Sequence, residues 1–376
     1  MSGGGILGTG TSALLTYQRA LQTTGHNIAN VGTEGFSRQR LELGARTSGS
    51  GGLGSGVEGL GVRRVVDQFV DLRLGMNISA ESQQRTLAEF ASQLDNLLAD
   101  PQAGLTPALS NFYAAIEDVA TDPTSTAARQ QLLAQGQGLV DRFAQLEGRI
   151  EDQRVIVNGR IGNAVDEVNQ LSRGIAELNR SIIEARGRQG GREPNDLLDE
   201  RDQLVRDLSE RLAISTVEQS DGSLNVYGGR GQSLVVGQEA TELQVRPQGA
   251  DPNRLEIGVR NGSAFIVVTD NMSGGSLGAL LETRDTLLDP ASNSLGRIAV
   301  ALTDQFNELH RAGMDLRGEA GGAFFSRPAP EVLSNLGNAA DGVPGLVIDD
   351  ISELSSSDYQ LRFDGSDWVL RRLQDG

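Results

Sequence analysis

His26 and His310 are the only imidazoles in the chain, and both cysteine and lysine are absent. That inventory limits the chemistry. Disulfides, thiolate metal sites and lysine-based catalysis are excluded, and a zinc site would need carboxylates to complete it. The two histidines lie far apart in sequence, and each reads as an ordinary polar residue on its own helix. The run DLLDERD at 196–202 sets carboxylates at helical spacing, as a general acid and base would require. Arginine is interleaved with them, so the run reads as a solvated charge pattern. Gly54, Gly56 and Gly59 spell GxGxxG. A dinucleotide fingerprint needs a helix directly after it, whereas VRRVVDQF at 62–69 is strand-like before it turns helical. DLRGEAGG at 315–322 opens like a calcium loop but has no acid at the twelfth position. These residues form no catalytic pair and call for no cofactor, so the chain reads as a non-enzyme.

Composition points the same way. Across 376 residues, 38% are hydrophobic but only 4% aromatic. Leu, Val, Ile and Ala must therefore do most of the burying, which suits helix bundles better than an aromatic-lined pocket. The net charge of −17 argues against non-specific binding to nucleic acid or anionic membrane. The first 65 residues differ: six arginines face three acids. No apolar run approaches the roughly 20 residues of a membrane span. MSGGGILGTG lacks the basic and apolar regions of a cleaved secretory signal, which leaves open an export route that keeps the sequence intact.

The positioning elements follow from periodicity. Residues 11–30 predict a short amphipathic helix, with Leu14, Tyr17, Leu21 and Ile28 on one stripe. Alone it would be marginal in water, so it is expected to need a partner helix. Residues 39–46 read as extended and 48–61 as a flexible glycine-rich connector. From 67 to 98 a heptad places Phe69, Met76, Gln83, Phe90 and Leu97 in one row and Ala80, Leu87 and Leu94 in another. Thr106-Pro107 predicts a helix start. Between 125 and 186, the series Ile161, Ala164, Val168, Leu171, Ile175, Leu178, Ile182 and Ala185 steps 3-4 throughout, the seam of a coiled coil or long antiparallel bundle. A further helix is expected over 194–212, with Asn195 able to cap it and Leu197, Leu204, Leu208 and Leu212 buried. Short β-type runs over 214–269 predict one small antiparallel sheet. Helices return at 276–288 and 290–310, with Asp289 as the second cap and Leu295, Ile298, Leu302, Phe306 and Leu309 packing inward. Asp364-Gly365 marks a hairpin turn near the end. A hairpin is a poor domain end, so the chain is expected to be part of a longer protein.

The expected class is mainly α with β insertions: an N-terminal amphipathic helix, a long antiparallel coiled coil or helix bundle, a small antiparallel β region and the start of a second β domain. The expected divisions are an assembly helix, turn and connector over 1–66, a helical rod over 67–332 with a β insertion at about 213–269, and a β domain beginning at 333–376. Three functions fit: an assembly subunit, an enzyme whose site lies elsewhere, or an extended coiled-coil scaffold.

One stretch favours the first. NIANVGTEGFSR at 27–38 resembles the N-terminal signature of the bacterial flagellar axial proteins, in which an amphipathic helix ends in an Asn-rich turn followed by Thr, Gly-aromatic and a basic residue. Here these are Asn27, Asn30, Thr33, Gly35, Phe36 and Arg38. Further along, GSGVEGLGVRRVVDQFVDLRL, PNDLLDERDQLV, and GSLGALLETRDTLLD leading into FNELHRAGMDLRGEAGGAFF are similar to the first hook-associated protein family, at the hook–filament junction. The resemblance implies a secreted, extracellular structural subunit, exported unfolded through the flagellar type III channel. It would form a ring of identical subunits and adapt hook to filament. Its partners would be itself, the hook protein, the second junction protein and an export chaperone, with no nucleic acid and no membrane insertion. The assembly residues would be Leu14, Tyr17, Leu21, Ile28, Asn30, Thr33, Gly35, Phe36 and Arg38. Another axial protein of rod or hook type, or a non-flagellar coiled-coil scaffold, is the alternative.

Overall fold

A computed structural model describes residues 3–46, 56–188, 193–338 and 345–373. The architecture is mainly α with β insertions. Helix α1 spans Gly3–Ala29, and strands β1 (Gln39–Ala45) and β2 (Val57–Arg64) follow it. Helices α2 (Gln68–Leu98), α3 (Leu105–Thr121), α4 (Thr126–Arg188) and α5 (Asn195–Arg211) come next. Strands β3 (Ile214–Glu218), β4 (Leu224–Gly228), β5 (Gln232–Val236), β6 (Glu239–Ala240), β7 (Leu243–Pro247), β8 (Leu255–Asn261) and β9 (Ala264–Val267) lead to α6 (Gly275–Thr283) and α7 (Asp289–Ala312). A hairpin of β10 (Tyr359–Phe363) and β11 (Trp368–Arg372) closes the described chain.

The chain divides into two compact units, each discontinuous in sequence. The first holds Met1–Gln83, Asn163–Val245 and Ile257–Gly278; the second holds Gln84–Gly162, Arg246–Glu256 and Ala279–Gly376.

In the first unit, the 3-4 series of α4 is inward as expected: Ala164, Val168, Ile175 and Ile182 are buried. They pack at a polar seam rather than a purely apolar one. Buried Asn179 donates to the carbonyls of Leu224 and Gly237 and accepts from the Leu224 amide. Asn169 grips Leu243 in the same two-way manner, at 2.8 Å each way. A side-chain amide can satisfy a strand end that no further strand pairs, which matters because unpaired buried backbone groups are costly. The β region is two antiparallel sheets rather than one, ordered β3-β4-β5-β6 and β7-β8-β9. The short β6 and β7 carried no periodicity strong enough to read. Of the connector expected at 48–61, residues 48–55, including Gly54, lie outside the described residues. From Val57 the chain is a paired strand, with Leu41 opposite Val62 and Gln39 opposite Arg64.

In the second unit, Leu146, Ile150, Val157 and Ile161 continue the α4 stripe into the core, beside Phe90 and Leu94 of α2. The few aromatics are concentrated here. Fully buried Phe112 has Phe306, Phe324 and Phe325 within 6.2 Å of its ring centroid. Asn307 holds that cluster by accepting from the amides of Phe324 and Phe325. His310 stacks on Phe306 and bonds the Gly322 carbonyl, an ordinary packing role. Arg317 and Glu319 donate their amides to Asp315, so the calcium-like stretch is a tight turn.

Four local expectations differ from the structure. Gly104, not Thr106, is the N-cap of α3. Pro194 precedes α5, and Asn195 spends its amide on the Val62 carbonyl instead of capping. Asp289 does not start a new helix: a π-helical turn, Arg284–Leu288, carries α6 directly into α7. Its carboxylate instead pairs with Arg154 at 3.0 Å and Arg254 at 2.6 Å. Ile298 and Leu309, expected inward on α7, are exposed.

Candidate assembly interface

Helix α1 carries its amphipathicity inside out. The stripe Leu14, Tyr17, Leu21 and Ile28 faces solvent, at 71%, 58%, 72% and 70% exposure. Leu7, one heptad before Leu14, extends it at the N-terminal side, and Val31, just past the helix end, is open as well. The opposite, inward face is small and polar. Thr16 is buried and its hydroxyl donates to the Val57 carbonyl. Asn27 donates to the Gln39 carbonyl and accepts from the Gln39 amide, both at 2.8 Å. At Gly56, with φ at +118°, the strand backbone lies so close to Ser12 that a Cβ would collide with it. Among the described residues the helix packs on the β1–β2 hairpin. Its attachment is polar, which leaves the apolar stripe unused.

The turn after α1 is built from the residues singled out in the sequence. Asn30 donates its side-chain amide to the His26 carbonyl at 3.0 Å, and its own carbonyl accepts from the Thr33 amide. The Thr33 hydroxyl reaches the Asn30 side chain, and the Thr33 carbonyl accepts from the Phe36 amide. Gly35 sits at φ +81°, a conformation that costs a Cβ-bearing residue but not glycine. Half-buried Phe36 meets the His26 ring edge-on, with centroids 5.4 Å apart, which is a favourable aromatic geometry. The Arg38 carbonyl accepts from the Val65 amide, closing the base of the hairpin, while its side chain is exposed. Asn30, Thr33, Gly35 and Phe36 thus come together as one knot. Leu14, Tyr17, Leu21 and Ile28 form a separate open face, and Arg38 lies between the knot and the hairpin.

Helix α5 anchors this assembly, and the sequence reading missed how. The interleaved arginine in DLLDERD predicts a solvated charge pattern, whereas Asp199 and Arg201 are buried. Asp199 accepts from the Ser37 amide at 3.1 Å and from Arg64 at 2.9 Å. Asp202 takes the same Arg64 nitrogen at 2.6 Å. Burial opposes the Arg64 cation, but Asp202 and Asp199 outweigh it, so its pKa stands above the ordinary value. Arg201 turns to the other side of the helix, donating to Asn179 and to the Gly222 carbonyl. Burial lowers its pKa despite the nearby Asp202. The only available signal was the spacing: 199 and 202 share one helix face, 201 lies off it, and leucines flank all three.

The arrangement offers no reacting pair. What it offers is a polar scaffold that displays an apolar helix face. Residues 91–325 match the family described as the flagellar hook-associated protein FlgK helical domain. Flagellar hook-associated protein 1 of Escherichia coli strain K12 is 34% identical over 373 residues, covering 98% of this chain and 68% of that protein. The same-named protein of Salmonella typhimurium strain LT2 is 36% identical over 370 residues, covering 97% and 67%. Among solved structures, the flagellar hook junction protein FlgK from Burkholderia pseudomallei matches with a TM-score of 0.72 and 30% identity, over 80% of this chain and 55% of that one. The chain thus spans about two thirds of the curated relatives' length and about half of the solved one.

Proposed function

The chain belongs to the family of flagellar hook-associated proteins FlgK, and from that premise we propose that it is a structural subunit of the hook–filament junction that self-assembles through α1. The single observation that carries this reading is the solvent-facing stripe of Leu14, Tyr17, Leu21 and Ile28 on a helix whose polar face is already used. Burying each such side chain contributes about 1.5–3 kcal/mol before the cost of ordering the partners is subtracted. Repetition around a ring multiplies a weak contact.

The finer parts of the reading follow from the family. The subunit is exported through the type III channel without cleavage, and a cysteine-free chain has no disulfide to hinder passage unfolded. It then adapts hook to filament outside the cell, contacting its own copies, the hook protein and the second junction protein, with an export chaperone before release. In functional terms residues 1–66 are the assembly segment, 67–332 the helical body, and 333–376 a segment that carries the β10–β11 hairpin. The knot of Asn30, Thr33, Gly35 and Phe36, with Arg38 between it and the hairpin, sets the angle at which α1 leaves the body. A non-flagellar coiled-coil scaffold does not fit the family.

The test is a Leu14→Asp, Leu21→Asp double variant expressed in cells that lack their own copy. The expected result is hooks without filaments, while the purified variant keeps its circular dichroism spectrum. Normal filament growth would overturn the proposal, and so would an equal loss of helix in the purified protein, which would make the stripe part of an ordinary core.

A further inference from the structure

In the second unit α4 and α7 form the two walls of a cavity. Gly136, Val140 and Ala144 lie along one face of α4, one turn apart. Ala299, Leu302 and Thr303 of α7 line the other side, and Phe324 and Phe325 form the floor. The volume is about 520 Å³, inside the range of roughly 300–1,000 Å³ usual for small-molecule sites. Among the described residues no charged side chain lines it. The floor is held in place before any ligand arrives. Asn307 accepts from the Phe324 and Phe325 amides and donates to the Phe325 carbonyl. The two rings meet edge to face with centroids 4.8 Å apart, and Phe324 meets Phe306 at 4.9 Å. A Cβ at Gly136 would lie 2.8 Å from the Phe324 ring, so the missing side chain is what lets that ring rest against α4. Walls pinned in this way relax only partially into an empty space.

Thr303 adds a polar handle to this apolar space. It is only 7% exposed, and it forms no hydrogen bond among the described residues. Thr11, Thr23, Thr24 and Thr286 are helical as well, and each donates its hydroxyl to the carbonyl four residues back. Thr303 does not, and its side chain lines the cavity instead. A buried hydroxyl without a partner is unfavourable, and a polar atom of a ligand would supply that partner.

We propose that this cavity binds a small neutral aromatic molecule of one or two rings, carrying one polar atom that pairs with the Thr303 hydroxyl. A carboxylate, phosphate or ammonium group would be desolvated there with no counter-charge in the lining. Phe143, Phe324 and Phe325 offer ring faces and edges to the ligand, and their quadrupoles favour an aromatic ring over an alkyl chain. The site shares no residue with the α1 stripe, so it stands or falls separately from the assembly reading.

The test titrates 2-naphthol, and separately naphthalene, into the whole chain and follows the fluorescence of each. The expected result is saturable binding of 2-naphthol at a single site. Ala299→Phe fills the cavity and Val140→Asp puts a charge in its wall, and each is expected to weaken binding about tenfold or more. Val140 is 46% exposed, so Val140→Asp keeps the fold, checked by circular dichroism, and decides the matter if Ala299→Phe does not fold. Thr303→Val is expected to weaken 2-naphthol about fivefold, the worth of one hydrogen bond, and to leave naphthalene unchanged. No saturable binding would overturn the inference. Binding unchanged in Val140→Asp, or lost in Leu14→Asp, would also overturn it by placing the probe elsewhere. Equal effects of Thr303→Val on 2-naphthol and naphthalene would remove the hydrogen bond and with it the proposed ligand class.

Discussion

Arg64, the last residue of β2, places its Nη1 2.9 Å from the Oδ1 of Asp199 in α5, and both side chains are only 10% exposed. This contact joins the N-terminal hairpin to the helical body. Removing one partner of a buried pair strands the other, at a typical cost of about 3 kcal/mol or more. Arg64→Met leaves both Asp199 and Asp202 without their cation and is expected to cost about 3 kcal/mol by urea unfolding. Asp199→Asn keeps the Asp202 pair and an acceptor for Ser37, and is expected to cost about 1 kcal/mol. Equal effects would mean the pair adds nothing beyond packing.

Phe36→Ala removes the edge-on contact with His26 without touching the Thr33 and Asn30 bonds that shape the turn. A half-buried aromatic contact of this kind is worth about 1 kcal/mol. The expected outcome is a small drop in melting temperature, faster amide exchange confined to residues 26–40, and a larger loss of assembly. A fall in stability comparable to a core deletion would place Phe36 in the body's core instead.

Ile175 is fully buried in the α4 stripe. Placing a carboxylate there sets an unpaired charge among apolar side chains, and Ile175→Asp is expected to cost about 4 kcal/mol or more. Calorimetry should show the cooperative transition lost or shifted down by many degrees. An unchanged melting temperature would contradict the burial of the stripe.

Asp71 gives a pH signature. Partial burial first, and Asp202 next, raise its pKa in the folded protein. A carboxyl that binds its proton more readily when folded stabilises the fold as pH falls through that raised pKa, and it penalises the fold above it. Asp71→Asn is therefore expected to unfold at higher denaturant than wild type at neutral pH. The difference should shrink as pH falls through the carboxylate range. A difference that grows on acidification would reverse the sign argued here.

Much of this fold is legible locally. The 3-4 series from Ile161 to Ile182 points inward because a long helix writes its buried face into its own periodicity. The Asp364-Gly365 turn forms where expected, with Phe363 paired to Trp368 and Gly365 at φ +107°. The turn of Asn30, Thr33, Gly35 and Phe36 is likewise local, since its hydrogen bonds span at most four residues. Asp199 shows the opposite case. Its partner, Arg64, is 135 residues away in sequence, and beyond the spacing of 199 and 202 on one helix face DLLDERD does not distinguish a buried acid from a solvated one.

Which residues of α1 and α2 are apolar, and at what spacing, is legible along the chain, because helical periodicity is a property of neighbours in sequence. Which way those stripes face follows from contacts between distant segments. Thr16, Asn27, Ser79 and Ser82 take the inward positions, where the hydrogen bonds of Thr16 and Asn27 to strand backbone and of Ser82 to helix backbone hold the helices in place. The leucines and Phe69 are left to solvent as a result. Amphipathicity says that one face will be buried; whether the chain or a neighbour buries it depends on contacts made across long stretches of sequence.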